Sequence, residues 1–238
     1  MKIDIITIFP GLVEPMLEFG ILGKARRGGQ VEIRAIDLRD FTKDRHRTVD
    51  DRPFGGGEGM VFKPEPLAAA IRSLKTGSSG ERVVYLSPQG RLLTQQRVRG
   101  LAGWEHLILI CGRYEGIDQR VIDLLVDEQV SIGDYVLSGG ELPARVLVEA
   151  VARLAPGVVG HPDSIRNESF EADLLDCPVY TRPEVFEGLA VPEVLMSGNH
   201  ERILRWRAEQ ALANTRRHRP ELLEKPLSRN DIEENSHE

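Results

Sequence analysis

The chain has 238 residues, 41% apolar and 29% charged, the composition of an ordinary globular protein with room for one large domain or one medium and one small. It has no apolar run of about 18 residues that could span a membrane, and its opening Met-Lys-Ile-Asp-Ile-Ile-Thr-Ile-Phe-Pro, broken by Asp4, reads as a buried strand and not as a signal peptide. A net charge of −6 argues against nucleic-acid binding by bulk charge, while Cys111 and Cys177, far apart and without partners at metal-ligand spacing, support neither a disulfide scaffold nor a zinc site and fit a reducing, cytoplasmic compartment.

Short β-branched runs predict strands over residues 3–9, 31–38, 83–86, 107–111 and 130–137. Helix signals lie between and after them, over residues 66–74, 117–126 and 142–154. In the last, Leu147, Val151 and Leu154 fall at i, i+4 and i+7 with Val146 and Ala150 alongside, which predicts one apolar face. Strands alternating with helices imply an α/β fold with a mostly parallel sheet covered on both faces. Charge is uneven along the way. Lys24, Arg26, Arg27, Arg34, Arg39, Lys43, Arg45 and Arg47 outnumber Glu32, Asp37, Asp40 and Asp44, and a second basic cluster comprises Arg202, Arg205, Arg207, Arg216, Arg217 and Arg219. Such faces can grip phosphates, and solvated helix faces have the same composition. After Pro156 the pattern changes to a polar, glycine-broken stretch that reads as a linker, residues 158–170. An amphipathic helix follows over residues 201–217, with Leu204, Ala208, Ala211 and Leu212 on one face and arginines on the others, inside a small helical domain of residues 171–227. The polar tail, 228–238, is expected to be disordered.

Ligands of parallel sheets bind beyond the carboxyl ends of the strands. Three predicted strand ends carry glycine or proline: Tyr85-Leu-Ser-Pro-Gln-Gly90, Cys111-Gly-Arg-Tyr-Glu-Gly116 and Ser131-Ile-Gly-Asp-Tyr-Val-Leu-Ser-Gly-Gly140. Together they suggest one composite pocket, in which missing side chains let backbone groups approach a ligand. Each loop alone could equally be a tight turn into a helix. The chain lacks the phosphate-loop string, the dinucleotide fingerprint and the Gly-x-Ser-x-Gly elbow. What remains is a pocket of main-chain groups, aliphatic side chains and tyrosines, suited to a neutral heteroaromatic ring such as adenine. Glu115 and Asp134 could attract a cationic or hydroxyl-bearing part of the same ligand, or be solvated loop acids; Tyr114 and Tyr135 could touch it, or be half-buried packing.

The strings Asp44–Met60, Tyr85–Gly90, Cys111–Asp118, Ser131–Pro143 and Leu175–Glu184 resemble the TrmD family of bacterial tRNA (guanine-N1)-methyltransferases, in order and nearly without gaps to about Leu223. The resemblance implies a SPOUT-type domain over residues 1–157 with a trefoil knot, a homodimer with active sites at the subunit interface, and S-adenosylmethionine (SAM) as methyl donor. By position, Tyr85, Leu86, Ser87, Pro88, Gln89, Gly112, Tyr114, Glu115, Gly116, Ile132, Gly133, Asp134, Tyr135, Val136, Leu137, Gly139, Gly140 and Pro143 would line the SAM site. The substrate would be tRNA, methylated on guanine at position 37 where guanine precedes it. Asp50 and the 55–59 loop, Gly59 included, would help read the neighbouring guanine, although Asp50 could equally cap a turn.

Guanine N1 carries a proton near neutral pH, so methyl transfer needs a base and a group that stabilises charge on O6. The family usually places an aspartate before Ser-Phe in the linker. Here that position is Glu168, one methylene longer, with Asp163 nearby but out of register. Arg153 matches the family arginine at O6 and, read alone, would be an ordinary helix-end arginine. The linker is expected to order on tRNA. No acidic cluster suggests a metal cage, so Mg²⁺ could act only with RNA or with the base. Alternative readings are a knotted methyltransferase acting on another RNA atom such as a ribose 2′-oxygen, a non-catalytic tRNA-binding module, and a small-molecule nucleotide enzyme.

Overall fold

Five parallel strands make the centre of the first unit. In chain order the strands of that unit are β1 (Lys2–Thr7), β2 (Glu32–Asp37), β3 (Asp50–Asp51), β4 (Val61–Phe62), β5 (Glu81–Leu92), β6 (His106–Cys111) and β7 (Glu128–Ser131). β3 and β4 form a small antiparallel pair; the others form one sheet in the order β2-β1-β6-β5-β7, every pairing parallel. The computed structural model describes residues 1–159, 168–170 and 173–224. It divides into two units, Met1–Gly160 and His161–Glu238.

A parallel strand in mid-sheet is buried on both faces and so reads as a continuous apolar run. All six residues of β6 are buried. Leu107, Leu109 and Cys111 join a core with residues of α2 (Gly20–Arg27), α4 (Gln95–Ala102) and α6 (Glu141–Ala152), and with Val13 of α1 (Pro10–Val13); Ile108 and Ile110 join a second with α3 (Pro64–Leu74) and α5 (Gln119–Leu125). Each fully buried Ile or Leu contributes roughly 1.5–3 kcal/mol. α6 buries Ala144, Leu147, Val148 and Val151, a stripe at i, i+3, i+4 and i+7, with Leu154 packed beside it. Val146, predicted on that face, lies roughly 150° round the helix from the centre of the stripe. It is 46% exposed.

Two strand ends differ most from the prediction. β7 stops at Ser131, where the predicted strand ran to residue 137. There the Ser131 hydroxyl accepts from Gly133 N–H at 3.2 Å and donates to Gly133 C=O at 3.1 Å, closing a tight turn that ends the ladder. β5 runs past residue 86 to Leu92, and its register on β7 shifts, so that Leu86 and Arg91 both align with Val130. The intervening residues bulge out over the end of β7. Gly90 makes this return possible, since a Cβ there would overlap the Val130 backbone.

The opposite end of the sheet is closed by charge. Buried Asp4 takes a two-bond fork from Arg34 (2.7 and 3.0 Å) and faces His106 Nε2 at 2.9 Å, while His106 Nδ1 lies 3.3 Å from Glu81. Burial pushes the Glu81 carboxyl up, but donors from Thr76, His106 and Gly77 outweigh it and bring it to about 2. Burial likewise acts on Asp4 and is overcome by Arg34 and His106, which hold it below the usual carboxylate range.

The second unit holds a hairpin, β8 (Val185–Phe186) with β9 (Leu189–Ala190), then α7 (Glu193–Met196) and α8 (His200–His218). Asn199 caps α8 by accepting from Arg202 N–H at 3.1 Å. The inward face of α8 is rotated from the prediction: Leu204 is 65% exposed and Ala208 is exposed, whereas Ile203, Trp206, Ala211 and Leu212 are half-buried and Thr215 is buried. Thr215 fixes that rotation, accepting from Leu175 N–H at 2.9 Å and donating to Ala211 C=O at 2.8 Å. The predicted linker straddles the division between the units, and most of it, with the tail 228–238, lies outside the described residues.

Candidate functional site

Beyond the carboxyl ends of β5, β6 and β7 lies a cavity of about 270 Å³. Its walls are residues 85–89, 112–117, 130–133 and 135–140, with Gln119, Ile122 and Pro143. Of the residues predicted to bind the cofactor, all but Asp134 line it; Asp134 stands exposed in the loop and off the wall. Arg113, Ile117, Gln119, Ile122 and Ser138 are among the lining residues that were not predicted.

The glycines of these loops are closely packed by the protein itself. Their missing side chains leave room for protein atoms beneath the walls. A Cβ on Gly112 would lie 2.8 Å from the Tyr85 hydroxyl, so this glycine seats the Tyr85 ring, which is 6% exposed. Burial pushes the Tyr85 phenol up. A Cβ on Gly140 would meet Cys111 Cα at 2.7 Å, and Gly140 N–H donates to Gly112 C=O at 2.9 Å. A Cβ on Gly139 would meet Arg113 Nε at 2.5 Å and Glu141 Oε2 at 2.6 Å. The loops can therefore stack directly on one another and on the sheet, which turns their main chain toward the cavity.

Beneath Gly139 sits a polar group that the sequence did not reveal. Glu141, 1% exposed, accepts from the Thr7 hydroxyl at 2.9 Å and from Arg113, whose Nη2 is 3.0 Å away. Arg113 in turn lies over the Phe9 ring at 4.5 Å. An acid straight after Gly-Gly in a helix's first turn was a visible signal, since the helix N-terminus favours negative charge; its partner 28 residues earlier was not. Burial pushes the neighbouring Cys111 thiol well up, and the Glu141 carboxylate adds to it.

The walls can grip a flat, neutral heteroaromatic ring. Leu86, Ile132, Leu137 and Pro143 supply apolar surface, and among the described residues the N–H groups of residues 134–138 donate to no main-chain carbonyl, leaving them open to a ligand. Tyr114 and Tyr135 are 57% and 55% exposed, not half-buried packing. Tyr114 adopts φ 57°, a strained conformation for a residue with a side chain, with its ring edge-on to Phe62 at 6.2 Å. Exposed Glu115 supplies negative charge at the cavity, and its side chain lies against Gly59, where a Cβ would fall 2.6 Å from Oε1. Glu115 N–H donates to Met60 C=O at 3.0 Å and Phe62 N–H to Gly116 C=O at 3.0 Å. The 55–59 loop is thus joined to the cavity wall. Asp50 is half-buried in β3, opposite Phe62. The turn-capping role belongs to Asp44, which accepts from His46 N–H at 3.0 Å and from Thr48 N–H.

Arg153 follows the last turn of α6 and is half-buried, its N–H donating to Glu149 C=O at 3.3 Å. Glu168 belongs to the second unit, where it lines a cleft of about 920 Å³ together with Asp176, Arg182, Arg207 and the apolar Leu174, Leu195 and Ile203. Among the described residues no group of three His, Cys, Asp or Glu could hold a metal ion, and no helix is long and apolar enough to cross a membrane.

Residues 1–225 match the family model described as tRNA (Guanine-1)-methyltransferase TrmD. Several curated relatives carry the name tRNA (guanine-N(1)-)-methyltransferase. That of Alcanivorax borkumensis is 56% identical over 225 residues, covering 93% of this chain and 85% of the relative. That of Dictyoglomus turgidum is 55% identical over 234 residues, 98% and 94%. That of Shewanella loihica is 54% identical over 225 residues, 94% and 91%. With the family pattern matched across both units at this level of identity, the chain belongs to the TrmD family of tRNA (guanine-1)-methyltransferases.

Proposed function

We propose that this protein transfers the methyl group of SAM to N1 of guanine at position 37 of tRNA, where guanine precedes it. The observation that carries the reading is the match to the TrmD family over residues 1–225, to which the open main-chain cavity at the carboxyl ends of β5–β7 gives a place for the donor. When bound, SAM supplies a methyl group on a sulfonium, an electrophile that needs only an electron pair. The cavity's residues suit it: the apolar walls and open N–H groups of the 134–138 loop would hold the adenine ring, and Glu115 would favour the cationic end.

The acceptor must be made nucleophilic by the protein. Glu168 takes the N1 proton, and the electron pair left on the ring is shared with O6, where the Arg153 guanidinium stabilises the developing negative charge. Asp50 and Gly59 read the preceding guanine, a role supported by the link between the 55–59 loop and the cavity wall. Arg202, Arg205, Arg207, Arg216, Arg217 and Arg219 are all exposed and would grip tRNA phosphates from the helical C-terminal domain. The anticodon loop offers its base with less unstacking than a duplex.

The reading includes a trefoil knot, favoured by the return of β5 over the end of β7, and a homodimer with shared active sites, favoured by Leu142 and Val146, 52% and 46% exposed on the outer face of α6. Both cysteines are free, in keeping with the cytoplasm. Mass spectrometry of nucleosides from tRNA treated with the protein and SAM tests the reaction: 1-methylguanosine is expected, and a ribose 2′-O-methyl nucleoside would overturn it.

A further inference from the structure

We propose that Glu141 is a positioning residue for the SAM site, acting through Arg113; this rests on the reading that SAM occupies the cavity. Glu141 is not itself part of the cavity wall, and it is 1% exposed. A carboxylate is kept so deep only where it is paired and hydrogen-bonded. Its partners come from separate strand ends. Thr7 closes β1, Arg113 follows β6, and Glu141 opens α6 at the end of the loop leaving β7.

The pair joins two of the loops that wall the cavity. Both Glu141 oxygens take the Arg113 Nε at 3.2 Å, and Nη2 reaches Oε2 at 3.0 Å. Directly above, Arg113 pairs with Gly139 through the backbone, and Gly139 has no space for a Cβ because the two side chains fill it. The next residue, Tyr114, is held at φ 57°, a strained state that persists only where its surroundings over-determine it. The fork to Glu141, with the Phe9 ring 4.5 Å from the guanidinium, supplies that constraint. Loosening it releases residues 112–116 from residues 137–140 and widens the gap into which SAM fits. SAM binding should suffer, while tRNA binding, carried by other residues, should not.

Glu141→Gln keeps the size of the side chain and an acceptor for Thr7 but removes the charge. Arg113→Lys keeps the charge but not the fork. In the full-length protein, each is expected to raise the Kd and KM for SAM by about tenfold or more, with KM for tRNA changed by less than about twofold. The double variant should bind SAM no worse than the weaker single variant, because both break one fork. Unchanged SAM affinity in folded variants would overturn the proposal, as would a lower melting temperature with an unchanged KM for SAM. If Glu141→Gln fails to fold, Glu141→Asp, which shortens the reach to Arg113 without touching the cavity wall, decides between these outcomes. Leu137→Glu, on the wall itself, separates the two levels of the argument. If it leaves SAM binding intact, the cavity reading fails and takes this proposal with it; if it abolishes binding while the fork variants bind normally, the positioning role alone fails.

Discussion

The two ends of the parallel sheet use their polar groups in opposite ways. At the amino ends, Asp4, Arg34, His106 and Glu81 bond to one another and to the Thr76–Gly77 turn, leaving an interlocked cluster. At the carboxyl ends, half-buried Arg113 and buried Glu141 tie the strand ends together beneath glycine-rich loops, in which the N–H groups of residues 134–138 donate to no main-chain carbonyl among the described residues. Charge paired within the protein makes stability; main-chain groups open above a floor of paired side chains are what the proposed site would use. Under the proposed function, the sheet separates what holds the fold from what binds.

That separation can be broken or sharpened by substitution. The largest effect is expected outside the cavity: Glu168→Ala should lower single-turnover methylation by ~10²–10⁴-fold with SAM affinity unchanged, because it removes a base and not a wall. Rapid-quench assays beside SAM titration check this. Arg153→Ala should cost ~10²–10³-fold in the same assay. At the floor, Gly140→Ala places a methyl 2.7 Å from Cys111 Cα, where backbone must move; SAM affinity should fall by roughly tenfold or more, as ~1.4 kcal/mol of displaced contacts would produce, and calorimetry reads it. At the amino end, Asp4→Asn should cost about 1.5–3 kcal/mol of stability, the range for losing hydrogen bonds to a charged group, because the Arg34 it leaves behind is exposed; denaturant unfolding measures it. A changed SAM Kd in that variant would contradict the separation.

The smallest effect is pH-dependent. Glu81 sits at about 2 in the folded protein against an ordinary value of 4.5, and Asp4 is also lowered. Both carboxyls therefore add stability that is fully present above about pH 4.5 and is lost as pH falls toward 2. Melting temperature should decline through that window, and Glu81→Gln should flatten the decline.

The sheet was legible in the sequence because buried parallel strands leave an uninterrupted apolar run, as in His106–Cys111. The extent of β7 was not: Val136 and Leu137 continue the apolar pattern but are 87% and 40% exposed, at a cavity and not in a core. α2 was not legible because its glycines and basic residues hide a face as short as Leu22 and Ala25. The hairpin of β8 and β9 turns on Glu187 and Gly188 at φ 50° and 83°, and only the glycine advertises that. The cavity loops were marked by their glycines, yet for a reason the sequence could not supply. At Gly112 and Gly139 the room made is for a side chain distant in the chain, Tyr85 and Arg113.

Single-turnover methyl transfer from labelled SAM to two unmodified tRNA transcripts tests the proposed reaction. One carries guanine at position 37 after another guanine; the other carries adenine at position 37. Transfer to the first alone is the predicted result and would show that Glu168, at the position where the family usually has an aspartate, does not abolish the chemistry. Transfer to neither, with tRNA binding intact, would show that the protein binds tRNA without methylating it.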